Sequence, residues 1–99
     1  MYVDTAMAAA RRVPLERVPT AADEAKVARQ QYLLRALLGQ NIKKFREEVG
    51  LSQRALAMRA DLSTNHIGRC EKGRHAVTID FLVRVSYHLG TTPIALLSK

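Results

Sequence analysis

The sequence predicts an all-α protein built from short helices, and three observations carry that reading. Helix-capping residues recur at short intervals, each followed by an apolar-periodic stretch: Ser52 to Ala60, then Ser63 to Gly73 and Thr78 to Gly90, the last two closed by Gly. The apolar residue before each of these caps has a partner at the fourth helical position, giving the pairs Leu51 with Leu56, Leu62 with Ile67, and Val77 with Leu82. Such hydrophobic staples fix the angle at which the chain enters a helix, and three in succession are hard to obtain by chance. Strand signals are missing, with no alternating apolar run and no Asn-Gly or Asp-Gly turn.

From the N-terminus, residues 1–19 are rich in Ala and Arg, with Pro14 and Pro19, and sustain neither periodicity; they read as an arm with a short helix before Pro14. Thr20, three residues before Asp23, is an N-cap signal. Beyond it, Ala25, Ala28, Tyr32 and Ala36 fall at helical spacing, and Leu33, Leu34, Leu37 and Leu38 widen the stripe. The sequence leaves open whether this helix passes Gly39. Ile42, Phe45 and Val49 mark a helix that Gly50 ends. Gln53–Ala60, Thr64–Lys72 and Ile79–Leu89 follow, and Thr92-Pro93 opens a last helix with Pro at its favoured first position. The composition divides the chain into an arm with an extra helix, 1–35, and a domain, 36–99. The chain ends after the last helix, so no separate ligand-binding domain is expected.

With 99 residues, 47% of them hydrophobic, the chain can bury one core but not two. Its 16 Lys and Arg against 9 Asp and Glu leave +7, which calls for an anionic partner. Residues 36–99 hold ten Lys and Arg against five Asp and Glu, so +5 of that charge lies in the domain. One Cys rules out an intramolecular disulfide framework and a multi-Cys zinc module. No apolar run approaches the length of a membrane span, and the N-terminus has no signal-peptide segment, so the expected compartment is the cytoplasm.

The helix ending at Ala60, the Asp61-Leu62 turn and the Ser63 cap have the shape of a helix-turn-helix; Asp61 can take the left-handed backbone such a turn needs. Residues 37–98 resemble the Cro/C1-type (XRE) helix-turn-helix domain of bacterial and phage repressors, and the small controller proteins of restriction-modification systems. The matching text is Ile42-Lys43-x-x-Arg46, Gly50-Leu51-Ser52-Gln53-x-x-Leu56-Ala57, Leu62-Ser63-x-x-x-Ile67, Glu71-x-Gly73, Leu82 and Leu89-Gly90. The resemblance implies a five-helix lambda-repressor-like domain carrying an extra N-terminal helical arm. It departs from the pattern at Asp61, where Gly or Asn is usual, at Val77, where Pro often stands, and at Cys70, usually aliphatic.

By the same resemblance Thr64–Lys72 is the recognition helix, and Gln53 contacts phosphate at the start of the preceding helix. Ile67 and Cys70 point inward, which leaves Thr64, Asn65, Gly68 and Arg69 outward with His66 beside them. Asn65 can pair with adenine N6 and N7, and Arg69 with guanine O6 and N7; Thr64 and His66 suit a base edge or a phosphate. Gly68, costly in mid-helix, is expected where backbone approaches a base closely. Lys43, Arg54, Lys72, Arg74 and His75 are expected phosphate contacts, each also readable as an ordinary solvated surface residue. Arg46 and Glu71 are implied to form a structural pair.

Other chemistries fare worse. Ser63 with His66, and Ser86 with His88, lack a third orienting group and an oxyanion segment, so catalysis is not expected. His66, Cys70 and His75 could make a zinc or copper site, but a buried thiol beside a groove-facing His is the simpler reading, and no metal or cofactor is expected. The sequence thus describes a transcriptional regulator that binds double-stranded DNA as a homodimer on a near-palindrome, and does not bind membranes. The competing reading is a protein-interaction adaptor or antitoxin on the same fold.

Overall fold

In the computed structural model, residues 17–99 are described; the expected arm helix before Pro14 lies outside them. Five helices follow in order: α1 (Ala21–Glu48), α2 (Gln53–Ala60), α3 (Thr64–Glu71), α4 (Ile79–His88) and α5 (Pro93–Leu96). Strands are absent among the described residues. The fold is the all-α, lambda-repressor-like arrangement that the resemblance implies.

Every expected cap forms. Thr20 opens α1 with a capping box, its hydroxyl accepting from the Asp23 N–H while the Asp23 carboxylate accepts from the Thr20 N–H. Ser52, Ser63, Thr78 and Thr92 accept from the N–H three residues on, at 3.0–3.1 Å. Asp61 takes φ 57°, ψ 50°, the left-handed conformation of the turn between α2 and α3. The core joins Leu38 and Ile42 of α1 to Leu56 and Ala57 of α2, Ile67 and Cys70 of α3, and Phe81, Leu82 and Val85 of α4. Leu89 and Leu96 complete it, and the outer members of the three staples, Leu51, Leu62 and Val77, pack against its edge.

In α1 the structure settles what the sequence leaves open: one helix runs 28 residues without a break at Gly39. At 1.5 Å per residue it is ~42 Å long, which accounts for most of the 48 Å long axis. The boundary expected near residue 35 falls within this helix, where burial changes: no residue before Arg35 is buried, and from Leu38 on one side carries the buried Leu38, Gly39, Ile42 and Arg46. A mid-helix Gly costs about 1 kcal/mol against Ala, and here packing offsets it. A Cβ on Gly39 would collide with the Cys70 carbonyl oxygen and lie 2.8 Å from that of Glu71. The absent side chain lets α1 touch the C-terminal end of α3 backbone to backbone.

Asn41, unremarked in the sequence, ties α1 to the other end of the chain. Its Nδ2 donates to the carbonyls of Leu96 at 2.9 Å and Ser98 at 2.8 Å, satisfying orphan acceptors at the end of α5. Among the described residues no helix is long and apolar enough to cross a membrane.

Gly39→Ala should destabilise the protein by roughly 1–3 kcal/mol, because backbone rather than a flexible side chain must move. Helix propensity alone predicts a gain for the same change, so a thermal melt separates the two effects by sign.

Candidate nucleic-acid interface

Helix α3 has four sides, and the neighbours of each decide what it can do. Ile67 and Cys70 are buried in the core. Burial pushes the Cys70 thiol up to about 11, so it stays protonated and is a poor nucleophile or metal ligand. Among the described residues, no three His, Cys, Asp or Glu side chains come together to hold a metal ion.

The side facing α2 carries an ion-pair network. Arg46 donates from Nε to Glu71 Oε2 at 2.6 Å and from Nη2 to Oε1 at 2.9 Å, while Nη1 donates to the Leu51 carbonyl at 2.8 Å. Gln53 Nε2 donates to Glu71 Oε1 at 3.0 Å. The expected structural pair is thus present, with side-chain exposures of 10% for Arg46 and 4% for Glu71. The Glu71 carboxylate raises the Arg46 guanidinium above its already high range, against the opposing effect of burial. Gln53, expected on phosphate, donates one of its two amide N–H groups to Glu71, because α2 begins directly over the end of α3. Gly68 lies beside it, half-buried, and a Cβ there would meet Gln53 Oε1 at an ordinary 3.6 Å.

The opposite side holds His66, and here the expected outward position fails. Its ring lies 4.7 Å from Phe81 and 4.3 Å edge-on to His75. Its Nε2 is buried and has no hydrogen-bond partner among the described residues. The cause is helical geometry, since position 66 lies about 100° from Ile67 and so faces α4 rather than solvent. His75 is half-buried by the same contact. Burial lowers the His66 pKa below its ordinary 6.5, and the charges of His75 and Arg69 lower it further.

The fourth side is open. Thr64, Asn65 and Arg69 are exposed there, and Lys72 follows as the exposed C-cap. Arg74 is exposed just beyond, its N–H bonded to the Arg69 carbonyl. Lys43 is exposed one turn past Gly39, the residue that touches the end of α3, and Arg54 is exposed beside Gln53. A short helix held on three sides, with an amide and a guanidinium on the free face and cations at its end, has the form of a DNA-reading helix-turn-helix.

The helix-turn-helix domain family matches residues 37–97, and the chain belongs to it as an XRE-like helix-turn-helix regulator. The clp gene regulator ClgR from Corynebacterium glutamicum is similar at 31% identity and TM-score 0.62, over 65% of this chain and 68% of that one. The restriction-modification controller protein C.AhdI from Aeromonas hydrophila is similar at 28% and 0.63, over 66% of this chain and 98% of that one. A hydroxypropylphosphonic acid epoxidase from S. wedmorenis is similar at 25% and 0.64, over 68% of this chain but 36% of its own, so the fold also occurs as part of an enzyme. No curated protein matches the chain.

Glu71→Ala should cost roughly 3 kcal/mol, because it strands the Arg46 charge with little access to water. A denaturant titration checks this; a variant that unfolds with the parent would show the network to be dispensable. A second expectation concerns pH. Since the folded pKa of His66 is depressed, its neutral form favours the fold. That contribution is fully present above pH 6.5 and is lost as pH falls through the folded value. His66→Phe should flatten the decline in melting temperature below pH 6.5.

Proposed function

We propose that this chain is a sequence-specific, double-stranded-DNA-binding transcription regulator of the cytoplasm, acting without a cofactor as a homodimer on a near-palindromic operator. One observation carries the reading: α3 is held on three sides and offers Asn65 and Arg69, the two residues best suited to bidentate base contacts, on the fourth. Thr64 would contact a neighbouring base edge or phosphate, and Lys72, Arg74, Lys43 and Arg54 the backbone on either side. Gln53 and His66 would act through the position of α3. One recognition helix reads too few base pairs to be specific in a genome, and a two-fold pair doubles the site.

The test separates reading from holding. On duplexes selected from random sequence, Asn65→Ala should weaken binding by about 1–3 kcal/mol, with little change on scrambled DNA. Lys72→Ala should weaken both alike and reduce the salt slope by about one, since one fewer counterion is released. If neither variant changes binding, the adaptor reading replaces this one.

A further inference from the structure

The N-terminal half of α1 extends beyond the domain, and among the described residues nothing covers its apolar face, where Val27 is 50% exposed and Leu34 48%. This stretch receives no support from the core, although the residues that face it are those expected of a packed helix. Val27, Gln31 and Leu34 recur at intervals of four and three on the side of α1 that enters the core at Leu38, and Glu24, Ala28 and Arg35 run beside them. The small Ala28 permits close approach of another helix.

The charges on that face say which helix. Glu24 and Arg35 are opposite in sign and eleven residues apart, and among the described residues neither is in an ion pair. Asp23, the other acid of the first turn, is taken up by Thr20 and Arg17. A second copy laid antiparallel with its Arg35 against Glu24 brings its own Glu24 against the first copy's Arg35, so both charges are met by one two-fold operation. In that register Ala28 faces Gln31, and the partner's first turn reaches the level of Leu38. The shared length then ends on both sides where α1 enters its own domain. At that junction an apolar groove of about 290 Å³, lined by Leu34, Leu38, Val77, Leu82 and Leu97 among others, opens toward the partner's first turn.

We infer that residues 21–38 of α1 are the homodimer interface, an antiparallel helix pair of two copies of this chain locked by reciprocal Glu24–Arg35 contacts. This rests on the dimeric reading above and gives it a location.

The test is sedimentation of the full chain, free and on a selected duplex, with helicity followed by circular dichroism. Glu24→Arg and Arg35→Glu should each weaken the dimer roughly tenfold or more, because each converts two attractive contacts into two repulsive ones. An equal mixture of the two variants should associate again, since every facing pair in the mixed dimer is of opposite sign. A parent dimer unaffected by either change overturns the location and leaves the dimer standing. So does a mixture that fails to associate while both variants keep parental helicity. A parent that is monomeric at every concentration, free and on DNA, overturns both.

Discussion

The position of α3 rests on one buried carboxylate. Glu71 accepts two hydrogen bonds from Arg46 of α1 and one from Gln53 of α2, while the same guanidinium holds the Leu51 carbonyl in the loop between them. Three helices and a loop therefore meet on a single pair of oxygen atoms. A buried ion pair is weak evidence of net stability, because desolvation offsets much of the attraction. Its effect here is geometric. Guanidinium and carboxylate match in one planar orientation, and that orientation sets the rotation of α3 about its axis. A rotation of α3 by one residue would take Asn65 off the open side.

The close approach of α1 and α3 works with the ion pair. Gly39 lets the two backbones touch, which brings the side chain of Arg46, seven residues and about two turns on, within reach of the Glu71 carboxylate. On the other flank His66 is wedged between Phe81 and His75, its Nε2 without a hydrogen-bond partner among the described residues. One flank of α3 is thus polar and satisfied, the other aromatic and sensitive to protonation. The open side has neither constraint, and residues there can change without disturbing the helix that carries them.

This division bears on how such a small domain keeps its fold while its binding preference varies. The core uses Ile67 and Cys70 from α3, and the orientation uses Glu71. Thr64, Asn65 and Arg69 are left out of both. The extension of α1 is separable in the same way, since its apolar face lies outside the core and the open side of α3.

Local chemistry was legible in the sequence by itself. The caps at Thr20, Ser52, Ser63, Thr78 and Thr92, the three staples and the left-handed turn at Asp61 depend on contacts within a few residues, and all form as read. Arg46–Glu71 was legible only through family resemblance, since nothing local links residues 25 apart. What spacing left open, the tertiary structure decided. Gly39 stays helical because α3 lies against it, Gly68 faces Gln53, and His66 turns to Phe81. Asn41 gave no signal because its partners are carbonyls 55 and 57 residues away. Helical periodicity states which residues share a face; only the packing of one helix on another states what that face meets.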